Sequence, residues 1–165
     1  MKIFLDCEFT QLNQDSKLIS LALVSESGDE FYVELTDTYS DEECSDFVIQ
    51  NVLPQLDPLR YGQSLVEARS SLRRFLSCFD EELEVFSDAP HWDWEFFRYL
   101  VCADHQPLPA QVVRQPTNLT SFFNQVNAEA LVQVELSDPP HHALLDARML
   151  AELFKILAPR LILSL

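Results

Sequence analysis

Glycine is nearly absent from this chain. Only Gly28 and Gly62 occur in 165 residues, against a usual share of about 7%. Neither a P-loop nor a dinucleotide fingerprint can be written with two glycines so far apart. Cysteine is scarce too: Cys7, Cys44, Cys78 and Cys102 are scattered, with no Cys-x-x-Cys pair. Disulfides and structural zinc are therefore not expected, and buried, reduced thiols in a cytoplasmic protein are. No apolar run approaches ~20 residues, so no membrane partner is expected. Met1-Lys2-Ile3-Phe4-Leu5 meets Asp6 too early for a secretory leader. Positive charge is the last shortage. Lys and Arg number 11 against 27 acids, a formal charge of −16. Such a surface repels a polyanion, which excludes nonspecific coating of nucleic acid but not a site that borrows charge from metal ions.

What is present is a core. Apolar residues make up 47% of the chain, too many for a disordered segment, and the length suits one domain over 1–165. Lys2–Phe9, Leu18–Ser25 and Glu30–Leu35 read as strands. Ser27-Gly28-Asp29 supplies the turn that makes the last two a hairpin. Helical spacing runs over Asp41–Leu53, with Phe47 and Val48 on its apolar face, and over Leu65–Phe79. Leu83–Phe86 reads as a short strand, Trp92–Val101 as a helix and Gln111–Val113 as a fifth strand. Asn118–Leu131 and Ala143–Leu157 close the chain as helices. The expectation is an α/β domain, a mixed five-stranded sheet flanked by helices. The acidity is mostly N-terminal: residues 1–60 carry 13 acids and 3 bases, residues 111–165 carry 5 and 4. A solvated face accounts for most of it.

Three constellations could carry chemistry. Asp6 and Glu8 alternate along the first strand and so project from one face, roughly 7 Å apart at the backbone. Two carboxylates in an apolar strand are costly unless a cation sits between them, and a hard divalent ion with oxygen ligands is the natural one. The alternative is a hydrated strand end. Near the C-terminus, Pro139-Pro140-His141-His142-Ala143-Leu144-Leu145-Asp146 cannot start a helix before Pro140. His141 therefore sits in a loop and swings toward a site that Asp146 reaches from the helix, while His142 faces water. Ala143 and Ala147 let that helix lie close to the sheet. The third stretch is Ser87-Asp88-Ala89-Pro90-His91-Trp92-Asp93, just past a strand, where α/β sheets place ligands. Asp88 has a competing duty as a helix N-cap, so Asp93 is preferred as the third acid.

Together, Asp6-x-Glu8-x-Thr10, the aromatic-Asp pair Trp92-Asp93 and His141-x-Ala143-x-x-Asp146-Ala147 resemble the DEDDh 3′–5′ exonucleases, most closely the small stand-alone bacterial exoribonucleases. The motifs run through nearly the whole chain. One departure is Asp88, where that family often has Asn or His. The resemblance implies a ribonuclease H-like fold and two divalent cations, Mg²⁺ or Mn²⁺. Asp6, Glu8 and Asp146 would hold one ion. Asp6 would bridge to the second, which Asp93 reaches through water. Two ions stabilise the attacking and leaving oxygens of an in-line displacement. His141 would be the general base, a task its near-neutral pKa suits.

The implied partner is a single-stranded 3′ end, RNA favoured over DNA, cut to nucleoside 5′-monophosphates; a homodimer is left open. Phe9 could stack on the terminal base, and Thr10 and Arg148 are placed as substrate contacts. The Arg69, Arg73 and Arg74 cluster reads as a solvated helix face. Rival readings are a DNA-trimming nuclease of the same fold, an end-binding protein that does not cut, and an acidic mimic of nucleic acid. A mimic needs acids spread over a surface and no His five residues before an Asp.

Overall fold

Alternation along the first strand sets the plan of the molecule. In the computed structural model, which describes residues 1–103, 106–123 and 140–162, β1 spans Lys2–Phe9 at the middle of the sheet. Ile3, Leu5 and Cys7 point to one face and Phe4, Asp6 and Glu8 to the other. β2 (Leu18–Ser25) and β3 (Glu30–Leu35) continue it as an antiparallel meander. The turn between them carries Gly28 at φ 97°, a conformation that a Cβ resists. β5 (Glu84–Ser87) pairs parallel to β1.

Two short strands complete a six-stranded sheet of order β4-β3-β2-β1-β5-β6. They are β4 (Gly62–Gln63) beside β3 and β6 (Thr117–Asn118) beside β5, both parallel. Gly62 is required by contact: a Cβ there would stand 2.3 Å from the Pro58 carbonyl oxygen.

The fold is thus the mixed α/β sheet expected, with six strands in place of five. The difference lies at the edges, where two-residue strands leave no periodicity to read. The proposed Gln111–Val113 strand is a single bridge, Leu83 to Val112. The helix expected over Asp41–Leu53 is broken into a 3₁₀ turn at Asp41–Glu43, α1 (Asp46–Asn51) and a 3₁₀ turn at Leu53–Gln55. The break has a local cause. Ser45 caps α1 by accepting from the Val48 amide, so its own backbone is extended, and Pro54 ends the run. α2 (Pro58–Tyr61), α3 (Leu65–Leu76), α4 (Pro90–Val101) and α5 (Leu119–Phe123) follow. Asn118 caps α5 through the Ser121 amide; the rest of the helix expected to Leu131 lies outside the described residues. The last helix, α6, covers Ala143–Ile162.

Helices cover both faces. α3 and α4 bury Ala68, Leu72, Leu76, Trp94, Phe97 and Leu100 against Ile3, Leu5, Leu21, Leu23 and Val33. α6 covers the other face, with Ala143, Ala147 and Ala151 against Phe4, Ala22, Val24 and Phe86. Those small residues recur every four positions, so the helix approaches the sheet closely. Phe4, Phe86 and Phe154 close the layer, with centroids 5.2–5.7 Å apart. Among the described residues no helix is long and apolar enough to cross a membrane. All four cysteines are free, but only Cys7 is buried; Cys78 is exposed.

Candidate active site

The cleft opens where β1 ends, between the loop after β5 and the start of α6. It has a volume of about 640 Å³ and is lined by Asp6, Glu8, Asp88, Asp93, His141 and Asp146, among others. Among the described residues no Lys or Arg lines it. Two triads of carboxylates converge there: Asp6 with Glu8 and Asp146, and Asp6 with Asp88 and Asp93. Within each, one oxygen per residue lies within 4.8 Å of the others. Asp6 belongs to both.

Each acid is delivered by a different device. Asp6 and Glu8 share the β1 face turned toward α6. Asp146, in the first turn of α6, accepts from the His142 amide at 2.9 Å, reaching back to the residue that opens the helix. Its other oxygen, Oδ1, is buried with no hydrogen-bond partner. Asp93 sits in the first turn of α4, 2% exposed, and accepts from the Ser87 hydroxyl. Asp88 is not the cap of α4. Ala89 holds that place without a side-chain bond, its amide donating instead to Ser87 Oγ at 3.0 Å. Asp88 is thereby released to face the cleft. The choice between Asp88 and Asp93 made on sequence was too narrow, since the fold brings both to Asp6.

Crowded acids in a partly dry cleft hold their protons. Burial, then the Asp93, Glu8, Asp146 and Asp88 charges, raise Asp6 well above the usual carboxylate range. Burial, followed by Asp146 and Asp93, pushes Glu8 up to about 8. Burial lifts Asp93 to about 7 against the opposing pull of Ser87, and burial also raises Asp146. A divalent cation bound among them would favour their charged forms. An orphaned Asp146 oxygen, carboxylate donors and, among the described lining residues, no Lys or Arg suit hard divalent cations.

A stability prediction follows from the sign of these shifts. Between about pH 4 and 8 the folded protein keeps carboxyl protons that the unfolded chain has released, so stability falls as pH rises. Scanning calorimetry in EDTA should show Tm declining across pH 5–8. Saturating Mn²⁺ at the upper end should restore about 5–10 °C, the effect of roughly 2.7 kcal/mol from a ligand at 100 times its Kd. A flat metal-free profile would contradict the buried acid cluster.

Among solved structures, the chain is similar to the crystallographic structure of the nuclease domain of 3′hExo, a DEDDh family member, bound to rAMP. The TM-score is 0.64 and the identity 16%, covering 99% of this chain and 92% of that one. The fold is that of a DEDDh nuclease domain. No protein-family model and no curated protein matches the chain.

On this DEDDh nuclease fold the remaining sequence candidates fall in different places. His141 lines the cleft, its ring edge-on to Phe47 with centroids 4.8 Å apart. Phe9 lines it too, stacked on Trp92 and Phe96 at 5.4 and 5.3 Å. Trp94 is core, packed on Phe97. Thr10 does not line the cleft: it is fully buried, and its hydroxyl accepts from the Lys17 amide at 3.0 Å. Arg148 is turned away, gripping both Glu30 oxygens at 2.6–2.7 Å near the opposite end of β3. Neither is retained as a substrate contact. His142 is half-buried, its ring stacked on Tyr32 at 5.0 Å. Arg73 bonds Gln106 and Pro107, and Arg69 lies over Tyr99.

Sequence reasoning missed Gln11, Leu12, Ser45 and Met149 in the lining. It also misplaced Phe47, half exposed on the cleft instead of in the core. The Ser45 cap was the available signal, because it rotates the short helix that follows.

Proposed function

We propose that this protein is a metal-dependent 3′–5′ exonuclease that releases nucleoside 5′-monophosphates from single-stranded ends, with RNA favoured over DNA. The observation that carries the reading is the pair of acidic triads sharing Asp6, with His141 beside them. Support comes also from the shared fold and from the rAMP held by the similar nuclease domain. The acids that define the cleft turn inward, which a surface mimic of nucleic acid would not require.

Asp6, Glu8 and Asp146 would hold one cation and Asp6, Asp88 and Asp93 a second. Bound there, Mg²⁺ or Mn²⁺ neutralises the carboxylates and stabilises charge on the attacking and leaving oxygens. His141 takes the proton from the attacking water and stands on the cleft side of its loop to do so. Asp146 holds its orientation through the His142 amide. Ser87 fixes the Asp93 carboxylate in one rotamer. Phe9 lines the cleft as an apolar contact for the terminal base, its ring supported by stacking on Trp92 and Phe96.

The direct test incubates 3′-tailed RNA and DNA, labelled at the 5′ end, with Mn²⁺ or EDTA and resolves the products. A ladder shortening from the 3′ end, faster on RNA and abolished by EDTA, is expected; intact substrate under every metal would overturn the proposal. The two outer acids are separated by Asp88→Asn and Asp93→Asn. Both should lower kcat by about 10-fold or more, as changes in and around a metal shell do. Full activity in one would remove that residue from the site.

A further inference from the structure

The loop that presents His141 is held by residues outside the acidic cluster. Among the described residues His141 is the one non-glycine residue with positive φ, at 53°. Side chains with a Cβ populate this region sparsely, and such a backbone persists where its surroundings over-determine it. The surroundings are specific. Gln55 Nε2 lies 2.5 Å from the Asn51 carbonyl oxygen and reaches across 86 positions of sequence to the Pro140 carbonyl oxygen at 2.6 Å and the His141 carbonyl oxygen at 3.1 Å, so its two protons are shared among three acceptors, two of them on the loop. On the far side of the loop, the next ring, His142, stacks on Tyr32.

These two supports share an anchor. Glu34 is 2% exposed on the same sheet face as Glu8, and the chemistry proposed above gives it nothing to do. Its Oε1 accepts from the Tyr32 hydroxyl at 2.9 Å and from the Asp57 amide at 3.0 Å. One carboxylate oxygen therefore fixes both the platform under His142 and the chain two residues past Gln55. Tyr61 closes on the other side of Tyr32, edge-on at 4.9 Å.

We propose that Gln55 is a positioning residue for His141, anchored with Tyr32 by the buried Glu34 carboxylate. Resting on the nuclease reading, the inference adds a brace that sets where the base stands. Gln55 is well suited to it: a neutral amide links the Asn51 carbonyl to the two loop carbonyls and adds no charge beside the acids. A misplacement near 1 Å of a reacting group can cost about 10²-fold in rate.

The test compares wild type, Gln55→Ala, His141→Ala and the double variant on a single-stranded RNA oligonucleotide with Mn²⁺. Gln55 is exposed, so its replacement leaves the core untouched. Gln55→Ala should lower kcat about 10–100-fold while KM and Mn²⁺ affinity stay within about twofold. The double variant should be no slower than His141→Ala, because Gln55 has nothing left to position. Tyr32→Phe, which keeps the ring and loses the bond to Glu34, should move kcat the same way by less. Additive losses in the double variant, or an unchanged kcat in Gln55→Ala, would overturn the brace. If wild type releases no nucleotide, the nuclease reading falls and the brace is judged by ¹⁵N relaxation at the His141 and His142 amides. Greater mobility in Gln55→Ala supports it; unchanged relaxation overturns it.

Discussion

Asp6→Ala is expected to abolish nucleotide release and to make the metal-free protein more stable. Both effects come from its place in the two triads. Without Asp6 each triad would lose one of the three carboxylates that would hold a cation. A loss of at least about 10³-fold in kcat is expected, as large as removing a key donor to a developing charge. Stability moves the other way. Burial disfavours the Asp6 charge most, and Asp93, Glu8, Asp146 and Asp88 add to it. Deleting that carboxyl removes a buried group whose ionisation its surroundings oppose. Calorimetry at pH 8 in EDTA should give a higher Tm than wild type, and Mn²⁺ should no longer raise it. An Asp6→Ala protein that still cleaves would exclude the metal assignment. One that is inactive because it is unfolded would contradict the electrostatics.

His141→Ala should separate catalysis from metal binding. The ring lines the cleft but belongs to neither acidic triad. A drop in kcat of about 10²–10⁴-fold is expected, the usual worth of a general base. Manganese affinity by calorimetric titration should stay near wild type, as should the Mn²⁺-induced rise in Tm. Loss of metal binding in this variant would move His141 from base to ligand. Phe47, edge-on to the ring, loses its contact in the same variant. Phe47→Leu is therefore the control: it should keep most of kcat if the imidazole is what matters.

Much of this site was legible because its chemistry is local in sequence. Asp6 and Glu8 had to share a face once Lys2–Phe9 was a strand, and a proline pair had to keep His141 out of the helix holding Asp146. The tight packing of α6 was visible in Ala143 and Ala147. The capping role given to Asp88 failed for a reason no local pattern contains. The chain turns one residue later, Ala89 takes the cap and Ser87 satisfies its amide. Arg148 looked well placed from its distance to Asp146, yet two residues along a helix turn it about 200° away, to Glu30 at the other end of β3.

Strand and helix periods, and the acids they carry, are properties of adjacent residues, so the amino-acid order alone determined the meander, the α6 face and the types of group available. Which acids meet was decided by tertiary structure. The parallel pairing of β5 beside β1 delivers Asp88 and Asp93 to Asp6, and Gln55 meets the His141 loop across 86 positions. Contacts of that range depend on how layers pack and strands register, and a linear pattern holds no distance between them.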